Sequence, residues 1–225
     1  TKDKIKIYIM AHKKFTPPEE KGYIPLQVGA ALHEDLGYLR DDVGENISDR
    51  NQNYSELTGL YWAWKNLKSD YLGLVHYRRH FKATPARMRQ LLRTTDVLLP
   101  KPRNYFIESN YSQYVHAHHA VDLDTTRQIL AERHESYLPA YDLCMRRTWG
   151  HRFNMFVMRR DRADAYCTWL FDVLFELERR LDISNYSPYD ARVFGFVSER
   201  LLDVWLLTNE ISFPEVGVKN LESQH

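Results

Sequence analysis

Hydrophobic and polar positions fall into two regimes along the chain. In the first, short apolar runs alternate with segments of helical spacing. In the second, helical spacing dominates. Residues 4–10 (KIKIYIM) predict a first strand, closed by a polar loop over 11–21 with Pro17 and Pro18 as breakers. Residues 23–32 predict a shorter extended segment, and 41–51, rich in Asp, Asn, Gly and Ser, a loop. From Asn53 the pattern turns helical. Leu57, Leu60, Tyr61, Trp64 and Leu67 share a face, with Asn53 as cap and Glu56 in the capping-box position. Ser69 and Asp70 end that helix, and Tyr71 to Val75 form a run apolar enough for a strand covered on both faces. A helix over 85–93 and a strand over 96–100 follow. Strand, helix, strand, helix, strand in this order predicts an α/β sheet.

The remainder reads as mostly helical. Asp122 or Asp124 opens a helix towards Arg133, and 139–147 form another. Residues 153–158 (FNMFVM) form a strand candidate. Asp161 caps a long helix whose Tyr166, Leu170, Val173, Leu174 and Leu177 align. A loop at 188–195 then leads to a helix over 197–208, and ISFPEVGVKN closes the chain in extended form. No repeat or linker divides the sequence, so a single domain over 1–225 is expected.

Composition narrows the function. Lysine and arginine total 31 against 30 acids, so the +1 net charge gives no basis for general nucleic-acid binding. Cys144 and Cys167 form no metal or disulfide pattern, which predicts a reducing, cytoplasmic setting. No signal peptide and no membrane-length apolar run is present, and Thr1 leaves room for the chain to be a module of a larger protein. No GxxxxGK[ST] loop is present, which argues against a P-loop kinase.

Candidate chemistry gathers at strand ends, where open α/β sheets bind ligands. His76, Arg78 and Arg79 follow the central strand at once. Two guanidiniums and an imidazole suit phosphate oxygens, and the alternative is pairing with Asp41, Asp42 or Glu56. His12 and Lys13, past the first strand, suit a phosphate or a base edge, or simply a solvated loop. Asn46, Ser48, Asn51, Tyr54 and Glu56 offer groups for a sugar or base, with turn and cap chemistry as the equal alternative. His116, His118 and His119 lack the spacing of a zinc site; a polar helix face lining an acceptor cleft fits them better. Glu199, beside Ser198 at the predicted opening turn of the last long helix, is a candidate general base, and Asp190 is its rival.

Taken together, NIS…N..Y.ELTGLYWAWKN, YLGLVHYRRHF, NMFVM and FGFVSERLLDVWL resemble a bacterial family of capsular and exopolysaccharide glycosyltransferases, long catalogued as a domain of unknown function and linked to galactofuranosyl transfer. The resemblance covers nearly the whole chain. It implies a GT-A-like fold, with a Rossmann-type nucleotide-sugar-binding half over about 1–105 and a mostly helical acceptor-binding half over about 106–225. It also implies a UDP-sugar donor and a glycan acceptor, free or lipid-linked, the latter bringing the protein to the inner face of a membrane. Where such folds carry DxD, this chain carries His76–Tyr77–Arg78, so no divalent metal cofactor is expected. On this reading His12, Lys13, Asn46, Ser48, Asn51, Tyr54, Glu56, His76, Arg78 and Arg79 bind the donor. Asn154, His118 and Arg192 contact sugar or acceptor, and Glu199 or Asp190 is the base. The alternative is a non-catalytic nucleotide-sugar- or glycan-binding module of a larger assembly protein.

Overall fold

Aliphatic and aromatic side chains at almost every position of β1 (Ile5–Ala11) leave only Lys6 exposed, as a strand covered on both faces requires. The computed structural model describes residues 5–104, 107–152 and 154–221. Lys4 and Phe153, the first residues of two predicted strands, lie outside them. On one side of β1 run β2 (Tyr23–Gln27) and then β3 (Leu39–Arg40), all parallel. A short helix, α1 (Asn51–Tyr54), precedes α2 (Leu57–Asn66), where a single helix from Asn53 is expected from the sequence. The break is Ser55, a non-glycine residue at φ 53°, so Glu56 stands at the start of α2 and not inside a capping box. The buried face of α2 carries Leu57, Leu60, Trp62 and Ala63, and each large apolar side chain contributes roughly 1.5–3 kcal/mol. The indole N–H of Trp62 donates to Val43 O at 2.6 Å.

Parallel to β1 on its other side is β4 (Tyr71–His76), with Met10 opposite His76. A tight hairpin leads to β5 (Arg79–Phe81), followed by α3 (Pro85–Leu91) and β6 (Val97–Pro100). Next come β7 (Arg103–Asn104), α4 (Asn110–Ala117), α5 (Ala120–Arg133), α6 (Leu138–Arg146) and β8 (Trp149–Gly150). The chain then enters β9 (Phe156–Arg159), the long α7 (Arg160–Arg180) and α8 (Val193–Thr208), and ends in β10 (Glu215–Val216) and β11 (Val218–Asn220).

These elements form two compact units. The first takes Thr1–Lys101, Asn154–Ala165 and Ser212–His225; the second takes Pro102–Phe153 and Tyr166–Ile211. The first unit holds the main sheet, in the order β3-β2-β1-β4-β9-β6-β10, with β9 antiparallel to both β4 and β6. The order reverses between β1 and β4, which makes their carboxyl ends the crevice where such sheets hold ligands. In the second unit α8 supplies the most continuous core, with Val197, Leu201, Val204 and Trp205 all buried. Trp205 meets Tyr166 edge-on at 5.3 Å. Cys144 and Cys167 are both buried and are not joined in a disulfide. Among the described residues no helix is long and apolar enough to cross a membrane.

Candidate active site

In the first unit the crevice is built on a buried carboxylate. Asp41 is fully enclosed and accepts four hydrogen bonds: from the Gly29 and Ala30 N–H groups at 2.9 and 3.0 Å, and from the Ser48 and Thr58 hydroxyls at 2.6 Å each. Four donors satisfy an ionised carboxylate held away from water. They also tie the turn after β2 to the loop before α1 and to the first turn of α2. Gly29, at φ 66°, has Asn51 directly beneath it, where a Cβ would lie 2.5 Å from Asn51 Cγ. Asn51 Nδ2 donates to Ser55 O at 2.8 Å, and so buttresses the strained residue that sets Glu56. Asn46 closes its own loop, donating to Asp42 O and Gly44 O and accepting from Ser48 N–H. Tyr54 is wholly buried. Asn46, Ser48 and Asn51 therefore shape the crevice through turn chemistry.

Glu56, His76 and Asn154 come together over the end of β4. Leu74 pairs with Phe156 across β4 and β9, which brings Asn154, just before β9, to the carboxyl end of β4. Asn154 Nδ2 donates to Glu56 Oε1 at 2.7 Å. His76 Nε2 is enclosed and has no hydrogen-bond partner among the described residues. Burial depresses its pKa, and the nearby Arg79 depresses it further, against an opposing pull from Glu56. The imidazole is therefore neutral at pH 7 and keeps one ring nitrogen available.

The hairpin tip adds cations and an aromatic platform. Tyr77 N–H donates to Met10 O at 3.1 Å, joining the tip to the end of β1. The Tyr77 ring meets His12 edge-on at 5.1 Å and Phe15 at 6.0 Å. The exposed Arg78 guanidinium lies 5.1 Å from the Tyr77 ring centre and pairs with no carboxylate among the described residues. Asp41 and Asp42 are not its partners: Asp41 is enclosed as above, and Asp42 takes both NH2 and Nε of Arg40. Lys13 is exposed beside His12. The structure thus brings His12, Tyr77 and Arg78 to one strand end. Tyr77 and Thr58 were not singled out from the sequence as ligand-site residues; for Tyr77, its place between a histidine and two arginines was the signal.

The second unit carries its own polar cluster. Asp190 accepts from His118 Nδ1 at 3.1 Å and lies 3.4 Å from His119 Nε2. The His118 hydrogen bond, outweighing a small burial cost, holds its pKa below the usual carboxylate range. His118 stacks on Phe196 at 4.2 Å and on Tyr189 at 5.6 Å, and the Arg192 guanidinium lies 5.5 Å from the Phe196 ring. His118, Asp190 and Arg192 are therefore neighbours, as a shared role requires. Tyr189 and Phe196, absent from the sequence-based site, complete an aromatic surface. Beneath it the buried Asp122 accepts from the Tyr114 and Tyr186 hydroxyls at 2.6 Å each. Glu199 differs from expectation: α8 begins at Val193, so Glu199 lies in its second turn, and Ser198 bonds Gly195 O within the helix and caps nothing. The apolar Val193–Phe194–Gly195 segment continues the helix backwards, which removes the dipole argument for Glu199. Among the described residues no three His, Cys, Asp or Glu side chains are grouped to hold a metal.

A parallel-rich α/β sheet with its crevice at the β1/β4 switch point defines a GT-A-like fold. The chain is similar to the apo structure of WbbM, a bifunctional glycosyltransferase, with a TM-score of 0.92 and 28% sequence identity. The match takes in 97% of this chain and 45% of WbbM, so the chain spans under half of that protein. The chain belongs to the family described as a domain of unknown function, DUF4422, which matches residues 6–210. No curated protein matches it.

Proposed function

We propose that the chain is a glycosyltransferase domain that moves galactofuranose or galactose from a UDP-sugar to a hydroxyl of a growing capsular, O-antigen or exopolysaccharide glycan, with inversion and without a divalent metal. One observation carries this reading: the exposed Arg78, with no carboxylate partner among the described residues, beside neutral His76 at the carboxyl end of β4, on a fold shared with a glycosyltransferase. Departure of UDP leaves negative charge on the diphosphate. Arg78 and Arg79 supply the fork-shaped donors that compensate it, and His76 adds a neutral donor. Tyr77 and His12 form the surface against which the uracil packs, while Lys13 meets the nucleotide phosphates. Glu56, oriented by Asn154, accepts from hydroxyls of the sugar. Asn46, Ser48, Asn51 and Tyr54 act through the shape of the pocket.

In the second unit, the His118, Tyr189, Phe196 and Arg192 surface suits a sugar ring, whose C–H face packs on aromatic rings. The base that takes the acceptor proton is assigned to Asp190 or Glu199. Asp190 has the better-defined surroundings, because two histidines fix its carboxylate. A lipid-linked acceptor would bring the domain to the inner face of the cell membrane.

The test is transfer from a panel of UDP-sugars, UDP-galactofuranose included, to a glycan acceptor. Asp190→Asn or Glu199→Gln should lower turnover about a hundredfold or more while donor affinity stays within about twofold. Donor binding with no transfer to any acceptor would favour a non-catalytic nucleotide-sugar-binding module.

A further inference from the structure

The first unit has a second cavity, on the face of the sheet away from α2. The strand register establishes the side. A Cβ on Gly59 would lie 2.4 Å from Met10 Sδ, so α2 covers the Met10 face of β1. Met10 pairs with Leu26 and Ile7 with Tyr23, three residues apart, so Tyr23 belongs to the opposite face. There Tyr23 stacks on His80 at 5.8 Å, and together they wall a cavity of about 630 Å³ with Thr16, Thr84 and Arg87.

The charge in this cavity is one-sided. His80 pairs with Lys219 across β5 and β11, so both side chains share a face, and Lys82, two residues on, returns to it. Lys82 N–H donates to Gly217 O at 2.7 Å, and a Cβ on Gly217 would lie 3.3 Å from Lys82 Cδ. A glycine here leaves room for the lysine stem against the backbone. Lys82, Lys219 and Arg87 line the cavity, with Glu20 as the single acid among the described residues of its wall. None of the three cations forms an ion pair among the described residues. His80 is 6% exposed, and its Nε2 is enclosed without a hydrogen-bond partner among the described residues. Cations crowded on one face repel each other, and a buried ring nitrogen without a partner is costly. A visiting anion relieves the repulsion among the cations.

We propose that this cavity is a second anion site, separate from the β1/β4 crevice, which takes a phosphate or diphosphate group. Lys82, Lys219 and Arg87 supply the charge, and Thr16 and Thr84 supply hydroxyl donors. A phosphorylated lipid headgroup and a soluble phosphate ester share this chemistry.

The experiment is calorimetric titration of the full chain with pyrophosphate in the presence of saturating UDP, which occupies the crevice. One site is expected. Its affinity should fall about tenfold in Lys82→Ala and in Lys219→Ala. Both lysines are exposed, so the variants fold. Should UDP fail to bind, the same titration without UDP asks the same question of the lysines, independently of the donor assignment. Co-sedimentation with phosphatidylcholine vesicles, with and without phosphatidic acid, separates the sources. Lysine-dependent capture by phosphatidic acid assigns the site to a lipid headgroup; pyrophosphate binding without capture assigns it to a soluble phosphate. Absence of pyrophosphate binding and vesicle capture, or affinities identical in wild type and both lysine variants, overturns the proposal.

Discussion

Asp41 shows what a single buried charge contributes. Four donors converge on it from three segments of chain, so Asp41→Asn turns an acceptor-only group into one that must present N–H to at least one donor. The expected cost is roughly 2–4 kcal/mol of unfolding free energy, read from urea denaturation. An unchanged urea midpoint would show that the network is dispensable. His76 and His80 set the response to acid. Both are depressed below the ordinary 6.5, mainly by burial, with Arg79 adding to it at His76 and Lys219 at His80. As pH falls through 6.5 the unfolded chain takes up protons before the folded one, so stability is greatest above that value and declines towards the folded pKa values. The depressed aspartates, such as Asp42 and Asp161, lose their contribution only below their ordinary 3.8. Urea midpoints should therefore fall between pH 7 and pH 5, and a His76→Gln, His80→Gln double variant should flatten that slope. An equal slope in the double variant would assign it elsewhere. Residue types were legible at this scale, but partners were not. Asn46, Ser48 and Asn51 have the same chemistry whether they bind a sugar or close a turn, and only the fold shows which bonds they make.

The elements were legible wherever periodicity was strong, as in β1, β4, α2 and α7. Boundaries were lost where backbone conformation overrides pattern. Ser55 at positive φ cuts one predicted helix in two, and Phe194–Gly195 extends α8 upstream of Glu199. The position of Glu56 depends on how closely α2 approaches β1, and Gly59 permits that approach. Gly59→Ala would place a Cβ 2.4 Å from Met10 Sδ and 2.7 Å from Val28 Cγ1. The overpacking should cost about 1–3 kcal/mol and lift Glu56 away from Asn154, weakening UDP-sugar binding more than UDP binding. Equal loss for both ligands would show that Glu56 does not contact the sugar. Ser55→Gly tests the strain directly. Relief at φ 53° should stabilise the chain by about 1 kcal/mol, against the added chain entropy of glycine.

For the whole molecule, the alternation of strands and helices predicted an α/β sheet, and the residues after the central strand fall at the carboxyl end of β4, beside the β1/β4 switch point. The interleaving of the two units was not visible in the pattern. Asn154–Ala165 and Ser212–His225 return to the first unit, so β9 and β10 join a sheet begun far earlier in the chain. Asn154 reaches Glu56 only because of that return, a pairing that no local reading provides. The donor assignment rests on cations in place of metal-binding acids after β4, and calorimetric titration with UDP, in EDTA and then in Mn²⁺, addresses it. UDP should bind equally in both buffers, and Arg78→Ala should weaken it about tenfold or more. UDP binding that requires Mn²⁺, or that is indifferent to Arg78→Ala, would contradict the cation-held diphosphate.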